Sequence, residues 1–145
     1  MKKKLLLITL LMSPLAFSNQ LLDAENEEEA IGIMYGVMTD IDVMSFMCER
    51  KLSNKSETIS SAVNSWVRRN QVVITNFKNG LEKTPISEME KIAHLSKKAV
   101  ETKIIKFNDL TQVQKEDACM SLVNRLNSDL YRKEYPKTYE FIMSK

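Results

Sequence analysis

The chain has 145 residues, with 21 Lys+Arg against 19 Asp+Glu and only three glycines and three prolines. That length suits one domain with a real core rather than two, and the near-balanced charge supplies no concentrated basic face for nucleic acid. The scarcity of turn formers argues against a sheet protein and for long helices.

Residues 1–18 have the layout of a bacterial signal peptide. Met1-Lys2-Lys3-Lys4 is a basic start, Leu5 to Leu15 is mostly apolar, and Ala16 and Ser18 put small residues at −3 and −1 of a cut before Asn19. The run is about half of the ~20 residues needed to cross a bilayer, and no cysteine marks a lipoprotein cut. The expectation is a periplasmic or secreted protein, with residues 19–145 forming a single helical domain. Removing residues 1–18 takes away three lysines and moves the formal charge from +2 to about −1. Residues 19–29 form an acidic leader, with five acids and no base from Asp23 to Glu29, expected to be solvated.

A first helix follows, with Ile31, Met34, Met38, Ile41, Ser45, Cys48 and Leu52 on one face. Ile33, Val37, Met44 and Met47 widen that face. Asp40 and Asp42 within it argue against a membrane span, and Gly32 with Gly36 is a spacing that lets another backbone approach.

A second helix is expected from Asn54, capped by that side chain with Glu57 completing a capping box. Its stripe is Ile59, Val63, Trp66, Val73 and Phe77, and Asn79-Gly80 is its stop. A third opens with Thr84 as cap and Pro85 at the first helical position. Ile86, Met89, Ala93, Val100, Ile104 and Phe107 carry it to Asn108-Asp109. Lys97, Lys98, Lys103 and Lys106 on this helix face only Glu101 and read as a solvated face.

Thr111 caps the fourth helix, with Gln114 as its reciprocal partner. Its face is Val113, Cys119, Leu122, Val123, Leu126 and Leu130, and Tyr135-Pro136 ends it before a last short helix with Tyr139 and Ile142. Fold class is therefore all-α: a four-helix up-down bundle with a short C-terminal fifth helix and one disulfide. Cys48 and Cys119 are the only cysteines, and an even pair in an oxidising compartment is most simply a bridge. In an up-down bundle both lie at the same end.

Catalytic constellations are absent from the sequence. His94 is the single histidine, with Glu90 one turn before it as an expected partner. A bundle metal site needs several converging histidines and carboxylates. No Cys-x-x-Cys-His supports attached haem, and no Gly-x-Ser-x-Gly elbow supports hydrolysis. No catalytic residue, metal or cofactor is expected. The distinctive polar cluster is Trp66-Val67-Arg68-Arg69-Asn70. Asn70 falls on the apolar stripe, where it needs a partner if buried, and Arg69 is expected to pair with Asp40 or Asp42 and brace the bundle.

The layout Cys48…Trp66-x-x-Arg69-Asn70…Cys119 after a signal peptide resembles a group of small exported bacterial helical proteins without established function. Leu110-Thr111-Gln112-Val113-Gln114 is similar to the Leu-Thr-x-x-Gln motif of periplasmic stress chaperones of the Spy and CpxP type, which are methionine-rich; this chain has nine methionines. The first resemblance implies fold and compartment. The second implies the holding of unfolded clients, for which flexible thioethers are suited. The leading expectation is a non-enzymatic protein-binding module of the cell envelope, of inhibitor or immunity-protein kind. A chaperone or stress sensor comes second, and a metal or haem carrier using His94 third.

Overall fold

The computed structural model describes residues 23–144. The expected signal peptide and the first residues after its cut lie outside the described residues. What is described is all-α: α1 (Glu27–Lys51), a 3-10 turn (Ser53–Lys55), α2 (Ser56–Arg69), α3 (Gln71–Lys83), α4 (Ile86–Asp109), α5 (Gln112–Asn127), α6 (Leu130–Glu134) and α7 (Pro136–Met143). The single second helix expected from Asn54 is broken at Asn70 into α2 and α3, and α6 follows α5 as a separate turn. The described chain therefore has seven α-helices where four and a short fifth were expected.

Local chemistry accounts for several of these boundaries. Asn26 caps α1, its side-chain oxygen accepting from the Glu29 amide at 2.9 Å. Glu27, Glu28 and Glu29 then sit in the first turn, where the helix dipole favours acids. Part of the expected solvated leader is therefore helix, and Ala24 just before it is fully buried. The Thr111–Gln114 box forms as expected, with Thr111 N–H donating to Gln114 Oε1 at 2.9 Å and Gln114 N–H to Thr111 Oγ1 at 3.3 Å.

Two other caps differ from expectation. Asn54 is inside the 3-10 turn and makes no cap for α2. Thr84 closes α3 instead of opening α4: its hydroxyl donates to the Gly80 carbonyl at 3.0 Å, and the freed amides of Glu88 and Met89 reach the Pro85 carbonyl. Asn79-Gly80 does not stop α3, because Gly80 is needed inside it for space. It is buried, and a Cβ there would overlap Ile31 Cδ1 of α1. The close approach expected at Gly32 and Gly36 falls here instead. Gly32 would meet only Ile92 at 3.9 Å, and Gly36 faces open space.

α1 is the hub. It packs against α2, α3, α4, α5 and α7, with Ile31, Met34, Val37, Ile41, Met47 and Cys48 buried. By length and composition it is apolar enough to cross a membrane, but its length is spent here on contacts with five helices. Trp66, Phe77, Leu126, Tyr139 and Ile142 close the core around it. Cys48 and Cys119 join α1 to α5 with Cα atoms 5.6 Å apart. The bridge closes a span of 71 positions, which in the chain-entropy picture stabilises the fold by about 4 kcal/mol. Such a bridge fits an oxidising compartment.

Before α1, Asp23 reaches across to α7. Its carboxylate accepts from the amides of Lys137 (2.8 Å) and Thr138 (2.9 Å) and from the Thr138 hydroxyl (2.7 Å), while the Ala24 amide donates to it at 2.9 Å. A residue more than a hundred positions away thereby supplies the N-terminal cap that α7 lacks locally. Burial alone raises the Asp23 carboxyl, but these hydrogen bonds outweigh it and hold its pKa below the ordinary value.

Candidate functional site

The residues singled out in the sequence separate into two places. Trp66 and Asn70 are buried at the joint between α2 and α3. The Asn70 amide nitrogen donates to the Trp66 carbonyl at 3.0 Å and, more weakly, to Asp129 Oδ1 at 3.4 Å, while Arg132 donates to its oxygen at 3.4 Å. Arg69 reaches neither Asp40 nor Asp42: its guanidinium donates to the Leu126 carbonyl at 2.5 Å, near the end of α5. Asp129 takes a left-handed conformation, φ 52°, which a short polar side chain tolerates, and so turns the chain from α5 into α6. This joint is a polar knot in which Asn70, Asp129 and Arg132 contact one another, while the buried Trp66 indole N–H finds no hydrogen-bond partner among the described residues.

Asp40 stands apart from it, in an open groove. Its Oδ1 contacts the Lys103 ammonium of α4, and its Oδ2 accepts from the Tyr131 hydroxyl of α6 at 3.1 Å. Asp42, two positions on and on another face, is exposed. Arg125 of α5 makes a two-pronged pair with Glu134, at 3.0 and 2.5 Å, and lies over the Tyr131 ring at 4.6 Å. Tyr131 is also the link to the core, its ring meeting Trp66 edge-on with centroids 6.3 Å apart.

The electrostatics follow from partial burial. Burial, with the Arg125 charge adding to it, pushes the Lys103 ammonium below the ordinary lysine value. Burial also opposes the Arg125 cation, but its hydrogen bonds to Glu134 prevail and hold it above its usual value. Burial raises the Tyr131 phenol against the opposing effect of Arg125. Two cations thus stand close together in a half-dry setting, each answered by one carboxylate.

Two connected hollows flank this cluster between α4 and α5, over the floor of α1. One, of about 680 Å³, is lined by Ile33, Gly36, Val37, Asp40, Met44, Lys103, Ala118, Ser121, Leu122, Arg125, Tyr131 and Tyr135. The other, of about 600 Å³, is lined by Met44, Leu95, Lys98, Ala99, Thr102, Lys103, Lys106, Phe107, Leu110 and Ala118. They share Met44, Lys103 and Ala118, so they form one trough with Lys103 at its middle. Gly36 leaves part of the floor empty, since a Cβ there would meet nothing within 4 Å.

Sequence reasoning named Asp40 but missed its partners Lys103 and Tyr131 and the Arg125–Glu134 pair. The available signal was Lys103 itself, one turn before the buried Phe107 on a helix whose other lysines are exposed. His94 is exposed on α4, and its expected pairing with Glu90 is not formed. No group of three or more potential metal-ligating residues gathers among the described residues. Comparison with protein-family models, curated proteins and solved structures finds no match for this chain.

Proposed function

We propose that the protein is a non-enzymatic binding module of the cell envelope, engaging a protein partner through α4 and the trough beside it. The observation that carries this reading is α4 itself. It has 24 residues, of which only Phe107 is fully buried. Ile86 is 80% exposed, Leu95 67% and Ile105 62%. A helix needing only to complete the fold would turn such residues inward; of the three, Leu95 also lines the trough, and large apolar side chains left outside beside a groove commonly mark an interaction site. The expected export of the chain and its disulfide suit a partner in an oxidising compartment, and the inhibitor or immunity-protein role is the simplest form of such binding.

A photo-crosslinking residue placed at Leu95, with another at exposed Asn64 of α2 as control, tests this in the native envelope. One discrete adduct at Leu95 and none at Asn64 is the expected result; no adduct at Leu95 overturns the reading. A broad smear of adducts at Leu95 favours the chaperone alternative. That alternative draws less support from its motif, because Thr111 and Gln114 are already committed to each other as a helix cap. The metal or haem alternative would rest on His94 alone.

A further inference from the structure

On the reading of the protein as a binding module, we infer that the trough between α4 and α5 receives an amphipathic helix of the partner, with acidic side chains two turns apart along one edge. The trough supplies an apolar bed: Met44 on the floor, Leu95 and Phe107 on the α4 side, Ala118 and Leu122 on the α5 side. Small residues at Gly36, Ala99 and Ala118 keep it wide enough for a bulky occupant.

Its charged lining is mostly basic, with Asp40 the one acid among the described lining residues. Lys98, Lys103, Lys106 and Arg125 line it, and only Lys103 and Arg125 have carboxylate partners, Asp40 and Glu134. Lys98 and Lys106 line the more apolar hollow and make no ion pair among the described residues. They are eight positions apart on one helix, about 12 Å, or two turns. A small anion would answer one of these lysines and leave the apolar bed uncovered, and an acyl chain would cover the bed but answer only one lysine with its single head group. A helix lying along α4, apolar toward Met44 and Phe107 and acidic at two positions two turns apart, answers both lysines and covers the bed at once. A second copy of this chain is the competing occupant, since Asp42 and Glu49 of α1 also lie two turns apart, and the test below reads self-association separately.

The test uses the full disulfide-bonded protein and a fluorescent 18-residue helical peptide with a leucine stripe and two glutamates two turns apart. Its twin carries lysines at those two positions. Dodecanoate is the acyl probe, and sedimentation at rising concentration reads self-association. The acidic peptide is expected to bind at least about tenfold more tightly than its twin. In the double variant Lys98→Glu/Lys106→Glu the preference should invert. Both lysines are exposed, so an unchanged circular-dichroism melt confirms that the variant is folded.

Equal binding of the two peptides overturns the acidic-helix assignment, and so does a preference the double variant leaves unchanged. Saturation by dodecanoate without peptide binding overturns it in favour of an acyl ligand, and self-association abolished by the double variant overturns it in favour of a second copy. The crosslink at Leu95 separates the two levels. If the native adduct forms equally in wild type and double variant, the acidic helix falls and the docking surface stands; if no adduct forms in either, the binding reading itself falls.

Discussion

α2 with α3, and α4 on the other side of α1, are of similar length and are built in opposite ways. The α2–α3 pair buries Ile59, Ala62, Trp66, Val73, Ile74, Phe77 and Gly80 and is bent at Asn70 so that both halves stay against the hub. α4 runs unbroken through 24 residues and buries Phe107 alone, packing chiefly on α1. The difference shows that apolar content does not by itself say what a helix is for. In α2 and α3 it makes the core; in α4 much of it is left outside, beside a charged trough. On the proposed function, stability and binding surface are carried by different parts of the molecule, and substitutions can separate them.

The largest effect should come from truncation within the bent pair. Trp66 is fully buried, and Trp66→Ala should cost about 3–5 kcal/mol, read by denaturant unfolding followed by circular dichroism, since the chain's one tryptophan is lost. The matched change on α4, Leu95→Ala, should stay within about 0.5 kcal/mol while weakening partner capture. A Leu95 effect approaching that of Trp66 would erase the contrast between the two regions. Removing the bridge by Cys48→Ala/Cys119→Ala should cost roughly 2–5 kcal/mol. Because the bridge ties α5 to α1 and α4 is fixed to α1 mainly by packing, hydrogen exchange should show α4 amides opening well below the global unfolding free energy even with the bridge intact.

A smaller effect is expected at the Asp23 tether. Its carboxyl is held below the unfolded value, which lies near about 3.9. The stability it adds is therefore fully present above that value and is lost as pH falls through the lower folded pKa. Asp23→Asn should cost about 0.5–2 kcal/mol at neutral pH, the range of a lost N-terminal cap, and should flatten the acid limb of the stability curve. An acid limb as steep as that of the wild type would mean that the tether does not hold α7.

How much of this was legible in the sequence depended on whether the deciding contact was local. The Thr111–Gln114 cap and the burial of Ile31, Met34, Ile41 and Cys48 follow from spacing alone, and the structure has them. The Cys48–Cys119 bridge followed from the expected compartment and an even pair of cysteines. The face of α4 did not: Ile86 and Ala93, read as part of its stripe, are exposed, while Ser96 and Lys103 lie on the side toward α1. A helix with more apolar residues than inward positions has no unique face until its neighbours are known. Arg69 and Asp40 show the same limit for polar groups, because each found a partner, Leu126 and Lys103, that only the tertiary path brings near.

The smallest predicted effect tests the trough most directly, because it takes the opposite sign. Gly36 lies inside α1, is exposed, and would place a Cβ in open space. Glycine in a helix interior costs roughly 0.5–1 kcal/mol relative to alanine, so Gly36→Ala should raise the stability measured by denaturant unfolding by about that much. Gly80→Ala is the control within the bent pair: its new methyl must displace Ile31 Cδ1, and the gain should be reduced or reversed. Gly36→Leu should leave the fold intact yet fill the floor of the trough, weakening capture of the partner without lowering the melting temperature. If Gly36→Leu binds as well as the wild type, that part of the floor is not where the partner sits, and contact must be confined to the Leu95–Lys106 end.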